Sequence, residues 1–171
     1  SCARFLAPEE TLEQAQINKL RDMIAKAQIG PEDHVLEIGC GWGSFAVEAV
    51  RQTGCRVTGI TVSRAQMEWA RERVRQEGMK DRIDIRLTDY RHITGQFDGI
   101  VSIEMLEAVG HRRLGSFFRH CGRLLKTEGL MALQTITIPE DRYDEYRRGM
   151  DWIRKHIFPG GHLPSLGAIQ R

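Results

Sequence analysis

The stretch "HVLEIGCGWGS" (34–44) constrains this chain more than any other. A short apolar run passes straight into G-x-G-x-G, and "FAVEAVRQT" follows with helical spacing. A glycine turn between strand and helix opens a βα unit: Gly39 permits the tight turn, and Gly41 lets a ligand approach the backbone. The pattern then repeats. "CRVTGI" (55–60), "RIDIRL" (82–87), "FDGIVSI" (97–103) and "GLMALQTITI" (129–138) read as further strands. Residues 63–78, capped by Ser63 and stopped by Gly78, and residues 112–125 read as helices between them. A leading helix over 9–28 starts at Pro8, with Leu12, Gln16, Leu20, Met23, Ile24 and Ala27 near one stripe. A polar helix over 141–155 and a Gly/Pro-rich tail close the chain. Strands alternating with helices predict right-handed crossovers and a parallel sheet flanked by helices, and 171 residues suit one such α/β domain.

Composition excludes several classes. A net charge of +2 without a Lys/Arg block gives no footprint for nucleic acid. No apolar stretch reaches the ~18–20 residues of a membrane span, and no signal-peptide pattern is present. The four cysteines (Cys2, Cys40, Cys55, Cys121) form no C-x-x-C pair and have no His at zinc spacing. They read as reduced thiols of a cytoplasmic protein, with no metal site.

In parallel sheets of this kind, ligands sit beyond the carboxyl ends of the strands. Candidate residues therefore follow the strands: Gly39 to Gly43, Thr61 to Gln66, Asp89 to Arg91, Ser102 to Glu107, and Gln134 onward. A plain βα turn is one reading of the glycines. A dinucleotide site would want a third glycine where Ser44 stands and an acid where Thr61 stands. Glu37, an acid inside the strand before the turn, can instead hold a cationic amino-acid end, which points to S-adenosylmethionine (SAM). Met67, Trp69 and Ala70 are expected in the core, and His111 and His120 on the surface. "RERVR" and "RYDEYRR" read as solvated faces, with attachment to anionic lipid as the functional alternative.

"VLEIGCGWGSF", "VTGITVSRAQ", "DYR", "VSIEMLEAVG" and "IFPGGHLPS" occur in this order, with "SCA" and "TLEQAQ" before them. On these motifs the whole chain resembles the cyclopropane-fatty-acid synthase family, which includes the mycolic acid cyclopropane synthases. The resemblance implies a Rossmann-like class I SAM-dependent methyltransferase fold. It also implies transfer of a methyl or methylene group to the cis double bond of an unsaturated phospholipid acyl chain, leaving S-adenosylhomocysteine (SAH). Within that reading, residues 1–30 are a helical segment, 31–138 the sheet core, and 139–171 the start of the lipid-pocket region.

The resemblance also implies residue roles. Gly39, Cys40 and Gly41 contact the methionine part of SAM, and Ser1 lies near its carboxylate. Ile60, Thr61, Val62 and Gln66 line the ribose and adenine region. Asp89 and Tyr90, beside Arg91, close over the adenine; Ser102 and Ile103 come from the end of strand four. Bicarbonate, the family's proton acceptor, is expected on Cys2 and Glu107. Gln134 stands where the family usually carries His, and Gln cannot take up a proton near neutral pH. His162 and Ala108 also depart from the usual pattern. Read without the motif, Glu107 is an exposed acid on a helix's first turn; Glu104 faces the methionine end of SAM or solvent.

The implied lipid substrate brings transient contact with the inner membrane surface, and an oligomer is compatible with it. A small-molecule N-methyltransferase, which needs no bicarbonate, and a non-catalytic SAM-binding module remain alternatives. The first residue is not Met and the ending is abrupt, so the chain is expected to be a piece of a longer one. Such a piece is expected to bind SAM weakly and to turn over little lipid.

Overall fold

The computed structural model describes residues 1–170. Its five strands are β1 (His34–Ile38), β2 (Arg56–Thr61), β3 (Ile83–Leu87), β4 (Phe97–Ile103) and β5 (Leu125–Gln134). They form one sheet in the order β3-β2-β1-β4-β5, every pair parallel. The order reverses at β1, which places the topological switch point at the glycine turn that follows it.

Helices α1 (Leu12–Lys26), α2 (Ser44–Thr53) and α3 (Arg64–Gln76) contribute Met23, Ile24, Phe45, Val47, Met67 and Val74 to one buried cluster with Val35, Val57 and Ile85 of the sheet. On the opposite face, α4 (Leu114–Leu124) packs Leu114, Phe117 and Cys121 with Leu36, Ile38, Ile60 and Ile100. Neighbouring residues of β1 thus enter different clusters, as the alternation of strand side chains requires. Both faces are covered, which explains why β1 and β4 are almost wholly buried. The edges of the sheet are β3 and β5, and much of β5 is exposed.

Boundaries differ from expectation where local chemistry intervenes. The first helix starts at Thr11 rather than Pro8, because Thr11 and Gln14 form a reciprocal capping box. Leu12 is therefore outside the buried stripe and 63% exposed, while Lys19 lies within that stripe at 6% exposure. Strand β5 begins four residues earlier than the expected 129 and ends before Thr135. The expected helix over 141–155 is two helices, α5 (Glu140–Arg148) and α6 (Trp152–His156). Gly149 is extended between them, and Asp151 caps α6 by accepting from the Arg154 N–H at 2.8 Å. A last helix, α7, spans Leu166–Gln170.

The tail is anchored by a buried polar cluster. The Tyr143 hydroxyl lies 2.7 Å from His111 Nδ1 and 2.9 Å from His162 Nε2, and the His162 N–H donates to the Glu107 carbonyl at 2.8 Å. His111 is exposed, yet its ring belongs to this cluster. Burial first, then the charges of His111 and Arg154, push the His162 pKa down to about 4. The unfolded chain takes up this proton near pH 6.5, whereas the fold resists it until about pH 4. The neutral-ring contribution is thus complete above pH 6.5 and is lost as pH falls toward 4. We expect wild type to lose roughly 1–2 kcal/mol more stability over that interval than His162→Gln, read by urea unfolding at several pH values. Parallel pH profiles for the two proteins would contradict this.

Candidate active site

A cleft of about 780 Å³ opens at the carboxyl ends of the strands, around the glycine turn. Its floor is fixed by backbone bonds. The N–H groups of Gly39 and Cys40 both donate to the Ile60 carbonyl, at 3.0 and 2.9 Å, pinning the turn onto β2. Gly39 has φ +83, and a Cβ there would meet Met105 Cγ at 2.9 Å. Gly41 has φ +51, and a Cβ there would meet nothing within 4 Å, so open space lies over that backbone.

Of the residues expected at the cofactor, Ser1, Glu37, Gly39, Cys40 and Gly41 line the cleft at the turn. Ile60, Thr61, Val62, Gln66, Asp89, Tyr90 and Ile103 line the rest. Ser102 does not. It is fully buried, and its hydroxyl donates to the Ile38 carbonyl at 3.1 Å, fastening β4 to β1. Strand alternation is the reason: Ile103 faces the cleft, so Ser102 points away. Trp69 is a second correction. Met67 and Ala70 are buried as expected, but Trp69 is 63% exposed and packs edge-on against Trp42 at the cleft's rim, ring centres 6.1 Å apart.

On the β2–β3 side the cleft is neutral or anionic. The Thr61 hydroxyl donates to Gln66 Oε1 at 2.8 Å and accepts from the Ser63 N–H at 3.1 Å, tying the end of β2 to the start of α3. Asp89 grips Arg91 through two oxygens at 2.9 and 2.7 Å, and this pairing holds its pKa down at about 2. At the centre, Glu37 is 4% exposed, and its Oε2 is buried without a hydrogen-bond partner among the described residues. Desolvation raises its pKa well above the usual carboxylate range; a bond from the Ala46 N–H opposes this only in part.

On the β4 side the structure separates the residues expected to hold bicarbonate. Cys2 and Gln134 gather on Glu104, not on Glu107. Glu104 Oε1 accepts from the Cys2 N–H and from Gln134 Nε2, each at 2.9 Å. Burial works against ionisation of Glu104, but these donors outweigh it and hold the pKa below normal. The same carboxylate raises the Cys2 thiol pKa. Glu107 lies beyond, on the 3-10 turn Leu106–Ala108. Its Oε1 accepts from the Thr135 hydroxyl at 2.8 Å and the Ile136 N–H at 2.6 Å, while its Oε2 is buried without a partner among the described residues. The backbone explains the separation. Glu104 takes a left-handed conformation (φ +51), and its N–H donates to the Gln134 carbonyl at 2.8 Å, holding it against the end of β5. The two acids thus meet consecutive residues of one segment, Gln134 and Thr135.

Sequence reading missed Gln16 and Lys19, which reach the cleft from α1. A lysine inside the stripe formed by Ala15, Leu20, Met23 and Ile24 was the available signal.

The family model described as mycolic acid cyclopropane synthetase matches residues 1–171. The tuberculostearic acid methyltransferase UfaA1 of Mycobacterium tuberculosis is 40% identical over 99% of this chain and 41% of its own length. The cyclopropane-fatty-acyl-phospholipid synthase of Escherichia coli is 39% identical over 99% of this chain and 42% of its own. Among solved structures, the mycolic acid cyclopropane synthase CmaA1 complexed with SAH and CTAB superposes with TM-score 0.89. It is 33% identical, with 99% of this chain and 63% of that one covered. The chain thus spans about two-fifths of the length of these curated relatives. The fold is the Rossmann-like class I SAM-dependent methyltransferase fold.

Proposed function

The chain belongs to the mycolic acid cyclopropane synthetase family, and from that premise we propose that it carries the cofactor site of a SAM-dependent methyltransferase acting on the double bond of an unsaturated phospholipid acyl chain. Glu37 carries this reading. A buried carboxylate oxygen without a partner, beside an open glycine backbone, is a receptor for a ligand's cationic end. The residues present fit SAM, whose amino-acid end is zwitterionic. When bound, SAM supplies an electrophilic methyl group on a sulfonium.

The chain's own residues then divide the work. Gly39, Cys40 and Gly41 present bare backbone to the cofactor's amino-acid part, with Glu37 beneath it and Ser1 beside it. Ile60, Thr61, Val62, Gln66, Asp89 and Tyr90 take the nucleoside, and Ile103 closes the β4 side. The face bearing the two acids handles charge and protons. Glu104, kept ionised by Cys2 and Gln134, stabilises positive charge at the cofactor end. Glu107 Oε2, lacking a donor among the described residues, is free to orient a bicarbonate that accepts the substrate proton. Gln134 serves as a donor in this arrangement, so it needs no titration of its own. No described helix is long and apolar enough to cross a membrane. In this reading a bilayer lipid is met by transient contact at the cytoplasmic membrane surface.

The test incubates the natural full-length protein with vesicles of unsaturated phospholipid and methyl-labelled SAM, followed by mass spectrometry of the acyl chains. We expect label to enter the acyl chain as one added CH2 with loss of the alkene. Untouched lipid together with methylated amines would contradict the lipid reading and support a small-molecule N-methyltransferase.

A further inference from the structure

Lys19 has no place in the roles above, yet it is 6% exposed and faces the cleft from α1. Its Nζ donates to the Ser1 hydroxyl at 2.6 Å and to Gln16 Oε1 at 2.5 Å. Both partners are neutral oxygens that also line the cleft. Among the described residues no carboxylate lies within ion-pair distance of it; Glu104 acts on it only at longer range. Burying an ammonium without an anion is costly, and a structural role on this helix would be met by an apolar residue, as at Leu20 and Met23. The other cationic side chains at the cleft are differently placed: Arg91 is held by both oxygens of Asp89, and Arg113 is exposed.

Resting on the SAM reading above, we infer that Lys19 is the anion receptor of the cofactor site, its ammonium binding the α-carboxylate of the cofactor's amino-acid end with Ser1 and Gln16 orienting it. The arrangement matches a zwitterion. Lys19 offers the positive partner for the carboxylate, while Glu37 and Glu104 offer negative partners for the ammonium and sulfonium. A ligand anion also resolves the electrostatics. Desolvation lowers the Lys19 pKa, and a bound carboxylate reverses that effect. The segment carrying Ser1 and α1 thereby becomes part of the cofactor site, since its cation completes what the sheet begins.

Calorimetric titration tests this with SAH, with its decarboxylated analogue, and with methylthioadenosine, which lacks the whole amino-acid end. For wild type we expect SAH to bind about 10–100-fold more tightly than the decarboxylated analogue. Lys19→Met should remove that preference and leave methylthioadenosine affinity within about twofold; Lys19→Arg should restore most of it. Equal binding of SAH and its decarboxylated analogue by wild type overturns the assignment, whether or not the variants fold. So does an equal loss of SAH and methylthioadenosine in Lys19→Met. Titrations with and without bicarbonate separate the second source of a carboxylate-like anion. If Lys19→Met abolishes a bicarbonate effect and spares SAH, the receptor serves bicarbonate and the inference fails. Wild type binding none of the nucleosides overturns the SAM reading itself, a result distinct from the loss of carboxylate preference alone.

Discussion

Glutamine in place of Glu107 is expected to lower methyl transfer to unsaturated lipid by about 10²–10⁴-fold while leaving SAH affinity within about threefold. Glu107 does not line the cofactor cleft, so its loss leaves the cofactor contacts intact. The substitution keeps a carbonyl acceptor for the Thr135 hydroxyl and the Ile136 N–H, so the local fold survives. What it removes is the charge on the unpartnered Oε2. Glu104→Gln should behave differently. Glu104 lines the cleft and collects the Cys2 and Gln134 donors, so both SAH affinity and turnover should fall. Steady-state methyl transfer and SAH titration on the same preparations separate the two acids. Parallel losses of turnover and affinity in Glu107→Gln would contradict the role given to it.

Glu37→Gln is expected to weaken SAH binding by about 10–100-fold with the unfolding free energy changed by about 1 kcal/mol or less. The glutamine keeps an acceptor for the Ala46 N–H, and the residue it replaces is a desolvated carboxyl with an unpartnered oxygen. Affinity and stability should therefore part company, which loss of a merely structural residue would not produce. The raised pKa gives a second signature. A ligand ammonium beside Glu37 favours the charged carboxylate, so binding should release up to one proton. Titration in buffers of different ionisation enthalpy reads that release directly for wild type and should find it absent in Glu37→Gln. A wild-type enthalpy independent of buffer would count against the contact.

The sheet was legible because it is written in periodicities of two and 3.6 separated by glycine stops, and β4 matches its expected bounds residue for residue. Gly54 and Ser63 stop and start helices as their chemistry dictates. Legibility failed where tertiary contacts set the outcome. The capping box at Thr11 moved the start of α1, and Gly149 with Asp151 broke a helix that composition alone favours. Within the site, motif spacing located the cleft but could not say which acid faces which partner. That depended on the positive φ of Glu104, a conformation that no propensity for Glu anticipates. Lys19 was passed over because a long cation is ordinarily solvated, and only the packing of α1 against the sheet buries it. Trp69 departs in the opposite sense: an aromatic residue expected in the core is exposed and packs against Trp42 instead.

The most direct measurement of the central claim is calorimetric titration of the wild-type protein with SAH, paired with the crystal structure of the complex. The predicted result is saturable binding of one SAH per chain. The adenosine should lie along Thr61, Gln66 and Asp89, and the amino-acid end over Gly41 between Glu37 and Lys19. No saturable binding, or SAH seated away from the glycine turn, would contradict it.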